Sequence, residues 1–459
     1  MVAEGVGVEK NAMAVSSLRS VAYRVPLVVL TALSFASAAP AAVLRGEPTD
    51  YRQLVQTLQP GDILRLQAGV YRYGLAAHNL NGLAGRRITI EGPARGDSAL
   101  FLAHRGRNTI SIKNASYITI RNLVLDGQKL GADGVKAEGT SRYAHHITIE
   151  NLKISNHDAN QQIVGISTKC PAWSWVVRGN VIDGAGTGMY FGDSDGSAPF
   201  IGGVIEGNVV RNTIGYNIEI KQQKPRKELA GMPRQPQVTI LRHNAFSKAA
   251  GGATGGLARP NVLLGYQPQK GAGRFDRYLV YGNFFYQNPT EALFQATGRA
   301  AIYNNAFVNT AGVGRAIMIM PHKGVAPKSI DIFHNTVLAS DIGIAVWNAN
   351  RRFQQVAEAN AIFASTPTTG RMQRRANITA PLGKASDYLR APQAPLGRLD
   401  LSPRPEQLRG QRLASTLRDD PAADRDFYNT LRHKRFVGAF VYYGAGVSRP
   451  LSLRHRSVR

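Results

Sequence analysis

From residue 88 onward one short pattern, apolar-x-apolar-x-(x)-Asn-apolar-x-apolar, keeps returning, and it limits the chain to very few folds. It reads ITIRNLVL at Asn122, ITIENLKI at Asn151, VVRGNVI at Asn180, VIEGNVV at Asn208, ILRHNAF at Asn244, LVYGNFF at Asn283, AIYNNAF at Asn305, DIFHNTV at Asn335 and VAEANAI at Asn360. Successive asparagines are 29, 29, 28, 36, 39, 22, 30 and 25 residues apart. Short strands at such a period, with turn residues and no helical pattern between them, indicate a solenoid whose turns stack at ~4.8 Å. Asparagine suits a column at a bend: it tolerates the left-handed region, and stacked amides can hydrogen-bond from coil to coil inside the core.

Each coil continues into a second strand opened by glycine: GVKAE, GISTK, GMYFG, GYNIEIK, GRAIMIM and GIAVW, beginning at Gly134, Gly165, Gly188, Gly215, Gly314 and Gly343. The two-residue period of a strand turns Val135 and Ala137, Ile166 and Thr168, Met189 and Phe191, Ile218 and Ile220, Ile317 and Ile319, and Ile344 and Val346 inward. The expected fold is all-β, a single-stranded right-handed parallel β-helix of about ten coils over residues 88–365. Before it, residues 43–87 read as an N-terminal cap and first coil. There Asp50 is placed to cap a short helix bearing Leu54, Val55 and Leu58, and Pro60-Gly61 stops it. Beyond Ser365 the period fades, so residues 366–459 read as an irregular tail lying on the solenoid, with a closing segment DFYNTLRHKRFVGAFVYYG from Asp426.

The helix followed by PGDILRLQAGVY, together with the solenoid, resembles the secreted polysaccharide lyase family of chondroitinase B and the alginate lyases. That family uses a Lys and an Arg, with calcium held by Asn and Glu on the helix face. The resemblance implies such roles for Asn217, Glu219 and Lys221 of NIEIKQQK, beside GTGMYFGDSD of the neighbouring coil. This sequence departs from the pattern in lacking a second Glu two residues from Glu219 and an Arg that matches the family's acid.

Export fits the first 42 residues: Arg19 and Arg24, an apolar run from Val25 through Leu33 and Phe35, then ASAAPAA, have the order of a signal peptide. Cleavage is expected between Ala38 and Ala42, leaving no stable membrane span and a periplasmic or secreted protein. Cys170 is the only cysteine, so no intramolecular disulfide forms, and a lone Cys behaves as a small buried hydrophobe. The formal charge is +26, and removing residues 1–42, with Lys10, Arg19 and Arg24 against Glu4 and Glu9, takes away only one of those charges. Such a field attracts polyanions, and for an exported protein the expected partner is an acidic polysaccharide. No nucleic-acid motif or aromatic-interleaved single-strand platform is present.

If the glycine-led strands stack in register, the outward residues form rows. The first would hold Lys136, Ser167, Tyr190 and Asn217, the second Glu138, Lys169, Gly192 and Glu219, and the third Ser194 and Lys221. Cleaving a uronate chain by β-elimination requires a cation on the carboxylate, a base for the adjacent proton and an acid for the leaving oxygen. Lys169 and Lys221 are the candidate base and carboxylate neutraliser, and Tyr190 the candidate acid or base. Lys136, Glu138, Arg142, Asn217, Glu219, Arg226 and Lys227 are candidate substrate contacts, the last two in an insertion at residues 224–237. Insertions at 248–259 and 267–277 are expected to join it in a basic wall. A surface ladder of Lys–Glu pairs would use the same residues.

Asp193 and Asp195 of GDSDG, with Glu219, are a candidate calcium set, although Asp at that spacing also forms Asx turns. No cofactor is otherwise required. Paired Asp also suggests a glycoside hydrolase, but the polygalacturonase-type motifs Asn-Thr-Asp and Gly-His-Gly are absent, and Asp419-Asp420 lies in the tail. His145, His146 and His157 lack zinc spacing, and His145 reads as a further candidate contact. A lyase is favoured, with an epimerase, a hydrolase and a non-catalytic glycan-binding or surface-assembly protein as alternatives.

Overall fold

The computed structural model describes residues 40–432 and 435–454. The expected signal segment lies almost wholly outside them. From Val43–Gly46 onward, short strands stack into three parallel sheets of 15, 11 and 12 strands, each pairing with its equivalents in the neighbouring turns. This is a parallel β-helix, of twelve turns by the count of its 12-stranded sheet. We call the 15-, 11- and 12-stranded sheets the first, outer and second sheets; in each turn the chain passes from first to second to outer.

Two expected boundaries move. Val43–Gly46, Ile63–Leu66 and Ile88–Glu91 pair in succession, so residues 43–87 already belong to the solenoid. At the other end Thr366–Gly370, Gln373–Arg375 and Ile378–Ala380 extend all three sheets past residue 365. The first two of these strands, TPTTG and QRR, hold no large apolar residue, and Gln373, Arg374 and Arg375 are all exposed, so they carry no apolar period to read. The helix Tyr51–Thr57 exists, and its Tyr51 and Val55 enter the core together with Leu58, which follows it. Asp50 does not cap it: the carboxylate accepts the Glu47 N–H instead, at 2.7 Å.

The asparagine column divides into two. Asn122 and Asn151 sit at the bend itself, in the left-handed region with φ of 59° and 54°. Gly179, Gly207, His243, Gly282, Asn304, His334 and Ala359 occupy that position in the later turns, all with positive φ. From Asn180 onward the motif asparagine is the next residue along, and it is fully buried. In this ladder Asn180, Asn208, Asn244, Asn283, Asn305, Asn335 and Asn360 each donate both backbone N–H and side-chain Nδ2 to the Oδ1 of the following one, and Asn377 ends it. Each Nδ2 also reaches a strand carbonyl of the preceding turn, as Asn244 does to Ile205 at 2.9 Å. The amides therefore enter an apolar interior with their hydrogen-bonding capacity used, the condition under which burial is tolerated. In the two turns of Asn122 and Asn151, Leu123 and Leu152 fill the place of the ladder asparagine, and the Leu152 N–H still reaches Asn180 Oδ1 at 2.9 Å.

One residue before the bend, the first sheet carries an outward column. From Arg65 its charges alternate: Arg65 and Arg121 flank Glu91 at 2.9 and 2.6 Å, Arg178 meets Glu150 at 3.0 Å and Arg242 meets Glu206 at 2.6 Å. It then turns aromatic, Tyr281, Tyr303 and Phe333 stacking with centroids 5.0 and 4.7 Å apart. The change marks where the tail begins to cover the sheet: Leu389, Leu401, Leu417, Phe427 and Phe440 pack in one cluster with these rings. Arg277 ties the tail down through both Asp420 oxygens, at 2.7 and 3.0 Å, and also reaches Asp331. Truncating Arg277 to Ala leaves two carboxylates without their shared cation, so limited proteolysis between residues 404 and 425 should accelerate. A digestion time course like that of the unmodified protein would show that the apolar contacts alone hold the tail.

Candidate functional site

The outer sheet brings the candidate residues together, by a register other than the one expected. Met189, Ile218 and Val262 are in line, as are Phe191, Ile220 and Leu264, so the apolar pairs stack inward as read. The outward row is therefore Lys136, Ser167, Tyr190 and Glu219, with Leu263 beyond it. Asn217 drops out of it. The GYNIEIK coil reaches the sheet two residues later than its leading glycine implies, and Asn217 turns into the corner with Nδ2 on Thr213 Oγ1 at 3.0 Å and on the Ser247 carbonyl at 3.3 Å. Asn217 is fully buried and is not a surface contact. In the neighbouring row Lys221 takes the place expected for Glu219, following Lys169 and Gly192.

Tyr190 is the centre of the group. Lys169 Nζ stands 3.4 Å from its ring centroid and Lys221 Nζ 5.4 Å from it, while its hydroxyl lies 3.1 Å from Ser194 Oγ. Lys221 donates to Glu219 Oε1 at 2.6 Å, with both side chains largely buried. Burial pushes the Lys169 amine down to about 8, nearby Asp193 and Glu219 offsetting only part of that penalty. Burial raises the Tyr190 phenol above its ordinary range, although Ser194 and Lys221 oppose the shift. For Lys221 burial works against the charge, but Glu219 and Tyr190 outweigh it and the pKa is raised. The site thus pairs an amine whose proton burial loosens with a phenol that burial makes hold its own more tightly.

Lys169, Tyr190 and Glu219 line a cavity of about 110 Å³ together with Gln161, Tyr216 and Arg259. Arg259 comes from the insertion at residues 248–259, which is latched across the cavity by Gln161 Nε2 on the Leu257 carbonyl at 2.9 Å. On the other side Lys323 Nζ donates to the Ser194 carbonyl at 2.8 Å, and the charges of Lys221 and Lys323 add to burial in lowering the pKa of His322. Arg259, His322 and Lys323 were not singled out in the sequence, because they lie in aperiodic loops of later coils that only the stacking brings back.

Other expected contacts are elsewhere or already engaged. Lys136 is paired with Asp133 at 3.0 Å, and Glu138 accepts from Asn108 and Ser111 at 2.9 and 2.8 Å. Arg142 is exposed in a turn of the Lys136 coil, three coils from Glu219, or ~14 Å along the axis at the strand spacing. Arg226 is buried, bound to Asp276 and to the carbonyls of Pro233 and Gln235, so it holds two insertions together and is not free for substrate. Lys227 is exposed on that insertion, which folds toward the first sheet and packs Met232 and Leu229 on Trp173. The basic wall is therefore divided, with only the 248–259 insertion beside Tyr190.

The expected calcium set is not assembled. Asp193 and Asp195 accept N–H groups of their own turn, from Ser194 and Ser197, and Asp195 also binds Lys224 at 2.9 Å. Among the described residues no group of three or more His, Cys, Asp or Glu side chains is placed to hold a metal. His145 stacks on Trp173 at 4.3 Å between centroids, its Nδ1 2.8 Å from that of His146. Cys170 is buried, and burial pushes its thiol up to about 12.

Fold and site together define a parallel β-helix protein with a partly closed basic cleft on its outer sheet. No family model matches the chain, and no curated protein matches it. Solved structures do. The protein named XylC, solved with xylose, is 11% identical at a TM-score of 0.55, covering 89% of this chain and 99% of its own. A GH136 lacto-N-biosidase from Eubacterium ramulus is 12% identical at 0.50, covering 74% and 68%. The PL6 family alginate lyase AlyGC is 12% identical at 0.49, covering 89% and 59%. At these identities the similarity is one of fold. Among the described residues no helix is long and apolar enough to cross a membrane.

Proposed function

We propose that the protein is an exported polysaccharide lyase that cleaves a uronate-containing glycan by β-elimination. The observation that carries this reading is the arrangement of Lys169 and Tyr190 in one cavity with Arg259. Arg259 Nη1 is used by the Gly256 and Ala258 carbonyls and the guanidinium lies over the Tyr216 ring at 5.9 Å, while its Nε and Nη2 have no hydrogen-bond partner among the described residues and are open to a carboxylate. Neutral Lys169 takes the proton on the carbon beside that carboxylate. The released electron pair forms the carbon–carbon double bond as the bond to the glycosidic oxygen breaks. Tyr190 donates its proton to that oxygen, and Lys221, fixed by Glu219, returns the phenol to its protonated state. In this scheme Lys221 serves the phenol and not the substrate's carboxylate, since its charge is already balanced by Glu219 and is poorly available to neutralise substrate.

The same pairing favours a second reading, a non-catalytic glycan-binding protein, because it removes one cation from the reaction. Incubation with alginate, pectate, chondroitin and bacterial uronic-acid polymers, followed by the ultraviolet absorbance of the unsaturated product, separates the two. Binding without product leaves the binder. Inversion at the carboxylate-bearing carbon without chain cleavage identifies an epimerase, which shares the proton abstraction. Lys221→Ala should lower turnover of the folded protein about tenfold or more, and should also lower the melting temperature because buried Glu219 loses its partner; full activity in that variant removes Lys221 from the mechanism.

A further inference from the structure

Among the described residues Lys248 is one of the largest fully buried side chains, and its ammonium has a single hydrogen-bond partner there, the Arg259 carbonyl at 2.9 Å. No carboxylate pairs with it within 4 Å among the described residues; Glu291 acts on it only at longer range. Burial drives its pKa down to about 8. An unpaired lysine in such a place costs stability, and an apolar residue of similar length would cost less. Its surroundings show what it holds. The backbone of the 248–259 insertion lies directly on its tip: a Cβ at Gly252 would stand 2.7 Å from Lys248 Cε and 2.9 Å from Nζ. Asn288 Nδ2 donates to the same Arg259 carbonyl at 3.0 Å, so two side chains from different coils converge on the backbone of one residue. That residue carries the guanidinium that lines the Lys169–Tyr190 cavity.

We infer that Lys248 is a positioning residue for Arg259: it anchors the strap of residues 248–259 from beneath, and so sets where the guanidinium meets the substrate's carboxylate. The inference rests on the proposed uronate-binding role of the cavity for its substrate class, but the anchoring itself is tested without any ligand. Lys248→Met should leave the melting temperature equal or higher while amide hydrogen exchange across residues 249–259 speeds up at least about fivefold. Gly252→Ala, which displaces the strap from the same tip, should do likewise. Unchanged exchange in both variants overturns the anchoring.

Calorimetric titration with a mannuronate pentamer and, separately, a galacturonate pentamer then reads the consequence. Affinity should fall about tenfold both in Lys248→Met and in Arg259→Ala, and the double variant should be no worse than Arg259→Ala alone. Additive losses would mean that Lys248 acts other than through Arg259 and would overturn the inference. If neither oligomer binds the unmodified protein, the uronate reading fails, while the exchange result still decides whether Lys248 anchors the strap.

Discussion

Lys169→Met lowers kcat/KM on the uronate polymer by about 10²–10⁴-fold while the protein folds and melts as before. The size follows from the role: loss of a positioned base removes proton transfer in the transition state, and among the described residues the other amine over the Tyr190 ring, Lys221 at 5.4 Å, is paired with Glu219. Stability is expected to survive because the amine is partly desolvated at a cost that methionine does not bear, and methionine can still lie on the phenol ring. The pH profile gives a sharper check. A lysine acting as base must be neutral, so activity should rise with pH and level off above about 8, the value to which burial lowers Lys169. It should fall again only where Tyr190, raised by burial, finally loses its proton. Lys169→Arg, a cation that does not deprotonate in this range, should abolish the rising limb together with the activity. A variant that keeps both would move the base elsewhere in the cavity.

Asn283→Leu is the second large effect, on stability. Asn283 Oδ1 accepts from both the backbone N–H and the Nδ2 of Asn244, and its own Nδ2 reaches Asn305 Oδ1 and the carbonyls of Leu241 and Tyr281. Leucine fills the volume but leaves buried donors on Asn244 and a buried acceptor on Leu241 without partners, at about 3–5 kcal/mol in total. Asn151→Ala makes the useful contrast. Asn151 lies at the exposed bend position, where Ala359 adopts φ of 54° in a later turn, so only about 1 kcal/mol is at stake. Denaturant midpoints of the two variants measure the difference, and similar losses would mean that the buried ladder contributes no more than the bend.

This contrast also shows what could be read in advance. The sequence motif places both kinds of asparagine in one column, since each follows a strand and precedes an apolar residue. The distinction is nevertheless written one residue earlier: aligning Arg121, Glu150, Arg178, Glu206 and Arg242 brings Asn122 and Asn151 against Gly179 and Gly207, and leaves Asn180 and Asn208 as the next position. The register of the outer sheet was legible in the same way. Ile218 and Ile220 must both point inward, which sets Glu219 beside Tyr190 once Met189 and Phe191 are their neighbours, whereas the leading glycines suggest an alignment two residues off. Alternation decides which face a side chain takes, and only pairing decides its neighbour.

Long-range closure was not legible. Arg259 and Lys323 reach the site because coils far apart in sequence are close along the axis, and the insertions bend in directions that no local period encodes. Arg226 is the reverse case: a loop arginine among polar residues reads as exposed, and becomes buried because Asp276, fifty residues on, returns beneath it.

The exposed strand Gln373–Arg375, which ends the first sheet, has a consequence for how the molecule behaves among copies of itself. A solenoid is a template: every turn offers the next a row of backbone donors and acceptors, and nothing in that geometry distinguishes a turn of the same chain from the first turn of another. Growth past the final turn would make a filament. Two adjacent guanidinium groups on this exposed strand make an approaching second edge pay in desolvation and repulsion, which disfavours continuation of the stack by another copy.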